Sequence, residues 1–143
     1  MSHDTVIYRG RAGHTVEVVT KPFGDGRAIV VGPLPHHRKH SPDGFSWGYF
    51  GSGPAELARC LLIDALGSAA LCAHCHGQGE VHDDLGGDDQ PDGSKCFECW
   101  GSGIRPEVER AYQAFKQEVV AGWPMDSEWE MSRDDILTWL AGR

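Results

Sequence analysis

The sequence lacks any long hydrophobic run. Its longest apolar stretches, around residues 61–63 and 69–72, fall far short of the roughly 20 apolar residues that span a bilayer. It also lacks a leader in which a charged segment precedes an apolar one, because residues 1–4 lead directly into strand-like sequence. We therefore expect a cytoplasmic protein that is neither secreted nor inserted in a membrane.

The chain is also poor in positive charge. It carries 13 Lys and Arg against 21 Asp and Glu, a formal net charge of −8. The deficit is confined to one part, because residues 1–59 sum to +2 and residues 60–143 to −10. A nucleic-acid-coating role needs a basic surface and is not expected. The acidic part indicates either a basic protein partner or a contribution to solubility alone.

Catalytic signatures are missing too. There is no Gly-x-Ser-x-Gly elbow, no P-loop with its Lys, and no complete dinucleotide-binding fingerprint. Cys60 lies in the middle of a predicted helix, where packing is the expected role. We therefore predict a non-catalytic protein, with an enzyme of unknown chemistry as the least favoured hypothesis.

Strand and helix patterns are present, and together they predict an α+β fold. An antiparallel sheet of three to four strands packs with about three helices, and a pair of zinc knuckles is inserted. We expect residues 1–71 and 104–143 to form one domain and residues 72–103 to form the inserted zinc module. The predicted strands are residues 5–8, 14–20, 27–31 and 45–50, and the predicted helices run from Pro54 to about Gly67, from Pro106 to Gly122 and from Asp134 to Ala141.

Four of the five cysteines occur in two CxxCxGxG segments. The first contains Cys72 and Cys75, the second Cys96 and Cys99, and 20 residues separate the two pairs. This spacing is typical of a zinc site, because each pair can turn two sulfurs toward one ion. Four thiolates form the closed tetrahedral set of one structural Zn²⁺. Iron is the alternative metal, and His74 or His76 is the alternative ligand.

The CxxCxGxG repeat resembles the cysteine-rich zinc module of the DnaJ chaperones. That family has four repeats and two zinc centres, whereas this chain has two repeats, enough for one centre. The resemblance implies that Cys72, Cys75, Cys96 and Cys99 are metal ligands. It does not carry over chaperone activity, because no His-Pro-Asp triplet and no preceding J domain occur in the sequence.

A second resemblance involves the rest of the chain. The stretch Gly-Phe-Ser-Trp-Gly-Tyr at residues 44–49, followed by Gly-Ser-Gly-Pro-Ala-Glu-Leu-Ala at residues 51–58, resembles an uncharacterised family of small bacterial and phage proteins. The expected coverage is most of residues 5–71 and 106–141. The resemblance implies a small α+β domain and no assigned activity. It also suggests that the zinc module is an insertion between two helices.

The turn before the first helix is the candidate ligand site. Free N–H groups at a helix start attract anions, so Gly51, Ser52 and Gly53 could bind a nucleotide or another phosphate. Arg9, Arg11 and the His-rich basic loop at residues 36–40 would supply counter-charges. The competing interpretation is a close-packed turn without a ligand.

The candidate partner-binding residues lie between the two cysteine pairs. Asp83, Asp84, Asp88 and Asp89 belong to a segment with six acidic residues and one Lys. We expect this segment to contact a protein partner, so the favoured hypothesis is a zinc-stabilised adaptor. The phage resemblance suggests, by analogy alone, a modulator or inhibitor of a host defence protein. A small-ligand-binding protein is the alternative.

Overall fold

The computed structural model describes residues 5–11, 13–21, 27, 29–36, 44–75, 77, 80–81, 94–96, 99, 102–125 and 127–142. A four-stranded antiparallel sheet has the order β3-β2-β1-β6, and three α-helices pack with it. The α+β prediction is therefore confirmed. The strands are β1 (Thr5–Arg11), β2 (Thr15–Lys21), β3 (Ile29–Pro33) and β6 (Trp129–Ser132), and the helices are α1 (Ser52–Leu66), α2 (Pro106–Glu118) and α3 (Arg133–Ala141).

The antiparallel meander β1–β2–β3 forms as predicted, with β3 two residues later than expected. The predicted strand at residues 45–50 is wrong. Gly48 has a φ of +88°, and a Cβ there would lie 2.6 Å from the Cα of Met125, so the chain bends against residues 123–125. The fourth strand is instead β6, which pairs with β1.

Glycine in β1 lets an aromatic cluster form on the buried face of the sheet. Gly10 pairs with Trp129 on β6, and a Cβ on Gly10 would lie 2.0 Å from the indole nitrogen of Trp129. Trp129 stacks on Trp123 at 4.0 Å and meets the edge of Trp47 at 5.7 Å. Trp47, which belongs to the wrongly predicted strand at residues 45–50, is therefore part of this buried aromatic cluster.

Helix α1 is the centre of the fold, as its nearly uniform apolar sequence predicted. Twelve of its 15 residues are buried, and it packs against α2 and α3. It begins at Ser52, two residues before the predicted start at Pro54. Proline is tolerated there because the first four N–H groups of a helix have no partner within the helix. No helix in the described part of the chain is both long and apolar enough to cross a membrane.

The two C-terminal helices differ from prediction only at their ends. Helix α2 stops at Glu118 and is followed by a short 3-10 turn, Val120–Gly122, which had been predicted as its continuation. Helix α3 begins after Ser132, whose hydroxyl accepts a hydrogen bond of 3.0 Å from the N–H of Asp135. Ser132 is therefore the N-cap of α3, and its hydroxyl satisfies one otherwise unpaired backbone donor.

Candidate metal centre

The two cysteine pairs meet at the point where the chain leaves and re-enters the helical core. A 3-10 turn, Gly67–Ala70, follows α1, and residue 71 then forms a β-bridge with residue 104 just before α2. The N–H of Cys72 donates to the carbonyl of Gly103 at 2.9 Å, and that of Arg105 to the carbonyl of Ala70 at 2.8 Å. These bonds hold the two ends of the metal module (residues 72–103) side by side.

We call residues 72–79 the first knuckle and residues 96–103 the second knuckle. The N–H of Gly77 donates to the carbonyl of Cys72 at 3.2 Å. In the second knuckle, the N–H of Gly103 donates to the Sγ of Cys99, also at 3.2 Å. An N–H donor to sulfur favours the thiolate, the form that binds metals.

Glycine is required at two positions because the knuckles pack against each other. Gly77 and Gly103 have φ angles of +82° and +76°, which side chains with a Cβ rarely adopt. A Cβ on Gly103 would lie 2.5 Å from the carbonyl oxygen of Gly77. The other two glycines of the CxxCxGxG segments, Gly79 and Gly101, lie outside the described residues.

The four sulfurs form a compact, buried group. All four Sγ atoms lie within 4.8 Å of one another. The Cys72–Cys96 and Cys75–Cys99 sulfur pairs are 3.9 and 3.7 Å apart. A tetrahedral ion with bonds of 2.3 Å to sulfur requires edges of about 3.8 Å. The donor set therefore fits one four-coordinate metal ion.

These cysteines are separate from the apolar core. Their exposed fractions are 0–6%, and among the residues that the structure describes they form a cluster of their own, without Leu, Ile, Val or aromatic members. His74, the alternative ligand, is exposed and is not part of the sulfur group. His76 lies outside the described residues. The fifth cysteine, Cys60, is buried in α1, as the packing interpretation predicted.

A short hairpin extends the metal module. Strands β4 (Glu80–Val81) and β5 (Ser94–Lys95) pair antiparallel between the knuckles. The proposed partner-binding residues Asp83, Asp84, Asp88 and Asp89 lie on the connection between them, outside the described residues. Beside the first knuckle, a cleft of about 410 Å³ is lined by polar and charged groups that include His74, Arg105 and Glu107.

The turn before α1 is closely packed. A Cβ on Gly53 would lie 1.8 Å from the Oγ of Ser46 and 3.0 Å from the hydroxyl oxygen of Tyr49. These two side chains share a hydrogen bond of 2.8 Å. The glycine therefore permits a close approach of the chain to itself, which accounts for it without a ligand.

The two arginines predicted to assist that turn are engaged elsewhere. Arg9 pairs with Glu130 at 2.8 Å, and Arg11 pairs with Glu17 at 3.1 Å and Glu128 at 3.6 Å. They alternate along β1 with the buried Tyr8 and Gly10, so they lie on the opposite face of the sheet. Among the described residues, no hydrogen bond or ion pair joins either arginine to residues 51–53.

Helix α1 carries buried charges whose partners could not be predicted from the sequence. Glu56 is fully buried, and its Oε2 lies 2.8 Å from the Nε2 of His36. Arg59 donates twice to one carboxylate oxygen of Glu109 on α2, at 2.9 and 2.7 Å. The only signal in the sequence is that charged residues interrupt an apolar helix. The rest of the basic loop, residues 37–40, lies outside the described residues.

A third polar contact ties α1 to the sheet. The hydroxyl of Tyr8 donates to the Oδ2 of Asp64 at 2.7 Å. Burial, followed by the contact with Asp64, raises the pKa of Tyr8 well above its usual range. Because the protonated hydroxyl is the hydrogen-bond donor, its ionisation would break this link.

The chain belongs to a family of unknown function, DUF6166, whose model matches residues 8–79. The match includes the second half of β1, all of β2, β3 and α1, and the first knuckle. No curated protein and no solved structure matches this chain. Family membership therefore supplies no activity, and the function must be argued from the geometry.

Proposed function

We propose that this protein is a zinc-stabilised binding protein without catalytic activity, in which Cys72, Cys75, Cys96 and Cys99 hold one Zn²⁺. The observation that carries the proposal is the set of four buried sulfurs, with two pair distances of 3.7 and 3.9 Å. Zinc prefers this tetrahedral thiolate set. When bound, the metal would supply a cross-link between the two knuckles.

The donor set supports a structural role for the metal. Four protein ligands fill a tetrahedral shell, whereas catalytic zinc keeps a position open for water. The exposed fractions of 0–6% for the cysteines also support a site that solvent does not reach easily. Iron binds thiolates as well, so the experiment on the metal must distinguish the two ions.

We assign the binding role to the segment between the knuckles. Its six acidic residues are Glu80, Asp83, Asp84, Asp88, Asp89 and Asp92, against the single Lys95. A zinc ion with four thiolates adds a charge of about −2 beside them. A basic surface on another protein is the partner that this charge favours. The resemblance to bacterial and phage proteins suggests a host defence protein as the target, and that suggestion rests on the resemblance alone.

Elemental analysis of the purified protein tests the metal. We expect one zinc per chain, and X-ray absorption should give four sulfur neighbours at about 2.3 Å. The Cys60→Ala variant is the matched control, since it removes a buried cysteine outside the cluster and should retain the zinc. Bound iron would contradict the assignment of zinc, and the absence of any metal would contradict the site.

A charge-neutral variant tests the binding role. Changing Asp83, Asp84, Asp88 and Asp89 to Asn should weaken binding to a cationic protein such as cytochrome c at least about tenfold at low salt. Zinc content should stay at one per chain. The matched control changes four acids outside the module, Glu107, Glu128, Glu130 and Asp134, to Gln or Asn. Equal weakening in both variants would show that net charge alone is responsible and would contradict the role of the segment.

A further inference from the structure

Strand β3 forms a free edge of the main sheet. The strand order β3-β2-β1-β6 places it at one end, where only one of its sides pairs with a strand. Its residues Ile29, Val30 and Val31 are 58%, 51% and 65% exposed. The pairing of β3 with β2 shifts register between Val18 and Val19, and β3 ends at Pro33. Three consecutive exposed β-branched residues are nevertheless unusual on an edge strand, which proteins normally protect with charged side chains or a covering segment.

The opposite edge of the sheet, strand β6, is protected. Strand β6 begins with Trp129, which is only 6% exposed and packs against Trp123. It continues directly into α3. No other strand or helix among the described residues covers the apolar side chains of β3, whereas the neighbouring strand β2 includes the buried Val16 and Val19. The exposure is therefore specific to one edge.

Charge around β3 is opposite to that of the chain as a whole. Residues 21–40 contain four Lys and Arg and one Asp, although the whole chain has a net charge of −8. Lys21, at the end of β2, and Arg27, just before β3, are both exposed. In the part of the chain that the structure describes, neither forms an ion pair. The free edge is thus apolar at its centre and flanked by cations.

We infer that the outer edge of β3 binds an extended apolar segment of another protein with acidic residues beside it, added to the sheet as a fifth strand. The unpaired backbone groups of an edge strand provide hydrogen bonds, and side chains on alternating faces provide selectivity. Lys21 and Arg27 complement the acidic flanks. A second copy of β3 would bring the same cationic surroundings together, so charge disfavours that occupant.

This edge is separate from the metal module and does not depend on the function proposed for it. Two binding surfaces of opposite charge would allow one chain to contact two different partners. The acidic segment favours a basic surface, whereas β3 favours an acidic strand. Loss of one interaction should leave the other intact, so the two proposals can fail independently.

A set of synthetic peptides tests the inference on the full-length protein. The first has a Val-Ile-Val-Ile-Val core with two Asp residues at each end, and the second has Lys in place of Asp. The third repeats the acidic peptide with N-methyl groups on alternate residues, which removes backbone donors. Fluorescence anisotropy should show the acidic peptide binding at least about tenfold more tightly than the other two at low salt.

Two protein variants locate the binding. Val31→Lys places a charge on the exposed centre of β3 and should weaken the acidic peptide at least about tenfold. Phe50→Lys is the matched control, because Phe50 is 72% exposed but lies outside the sheet, and it should leave the affinity within about twofold. Both positions are exposed, so circular dichroism and melting temperature should remain close to those of the parent.

Several results would overturn the inference. Equal binding of the N-methylated peptide would exclude strand addition, and equal binding of the Lys peptide would exclude acidic flanks. Failure of the acidic peptide to bind at a concentration of about 1 mM would exclude the site. A dimer detected by light scattering in the parent protein, and lost in Val31→Lys, would show that a second copy occupies the edge.

Discussion

The helical core and the metal module bury their residues in different ways. Helix α1 buries 12 of 15 residues among apolar side chains from the sheet, α2 and α3. The described part of the metal module instead has a buried cluster of four cysteines. Among the described residues, this cluster includes no aliphatic or aromatic side chain, so a metal bound by the four sulfurs is the interaction that would stabilise it. The comparison therefore predicts that the α+β core folds through packing and that the module is ordered by its metal.

Removing one metal ligand should produce the largest difference between the two regions. Cys96→Ser replaces a fully buried sulfur and should abolish stoichiometric zinc binding, because structural zinc contributes about 10–16 kcal/mol in small thiolate sites. Amides near the cysteines should lose hydrogen-exchange protection, while those of α1 keep it. Cys60→Ala, with its zinc retained, is the control. Uniform loss of hydrogen-exchange protection in Cys96→Ser would contradict the idea that the α+β core folds independently of the metal module.

A cavity in the helical core should destabilise that core and leave zinc binding unchanged. Leu61→Ala removes a fully buried side chain from the middle of α1 and should lower the free energy of unfolding by about 2–5 kcal/mol. Urea denaturation followed by tryptophan fluorescence measures this loss. Zinc content should remain at one per chain in the folded protein. Loss of less than about 1 kcal/mol would mean that α1 is not the packing centre.

The ion pair between Arg59 and Glu109 should stabilise the contact of α1 with α2. Glu109→Ala leaves the guanidinium of Arg59, which is only 4% exposed, without this carboxylate. The expected cost is about 2–3 kcal/mol in urea denaturation, since Glu109 is partly exposed. The double variant Arg59→Met/Glu109→Met should recover at least about 1 kcal/mol. Additive losses would contradict the coupling.

The contact between the knuckles can be tested at one glycine. Gly103→Ala should weaken metal affinity about 10–100-fold in chelator competition, because its Cβ would lie 2.5 Å from the carbonyl oxygen of Gly77. Gly67→Ala is the matched control, since Gly67 also has a positive φ but has open space around it. It should destabilise the helix end and leave zinc affinity unchanged. Equal metal affinity in both variants would contradict the packing of the knuckles.

The smallest predicted effect is the pH dependence of the Tyr8 contact. The pKa of Tyr8 is raised in the folded state, so the unfolded chain loses this proton first as the pH rises. Stability should therefore be complete below about pH 10 and fall above it, by at most about 1.4 kcal/mol per pH unit. Tyr8→Phe should flatten that fall in urea denaturation between pH 9 and 11. An unchanged slope of the unfolding free energy against pH would mean that Tyr8 does not contribute to the loss of stability at high pH.

Local patterns in the sequence were sufficient for much of the fold. The alternation in β1 and β2 and the apolar faces of α1 and α2 depend on neighbouring residues, and these elements form close to their predicted places. The cysteine group was predictable for the same reason, because each CxxC turn is local and a single metal requires both turns. The metal's identity and the binding role remain predictions.

Contacts between distant residues account for what was missed. The aromatic stretch at residues 45–50 alternates like a strand, yet Gly48 bends it against residues 123–125. The partners of Glu56 and Arg59 lie 20 and 50 residues away. The periodicity of apolar residues along the sequence carries no information about such distant pairs. The exposed edge at β3 could not be predicted either, because its sequence is that of a buried strand and only the strand order places it at one end of the described sheet.

The central claim is that the metal orders the metal module while the α+β core folds through packing. Hydrogen exchange of the parent protein with and without a strong zinc chelator tests this claim most directly. We predict that chelation releases one zinc and removes protection from the amides at residues 71–77 and 102–104, while α1 and β1 keep theirs. Loss of protection throughout the chain, or no change in the knuckles after the metal has been removed, would contradict a metal-ordered module on an independently packed core.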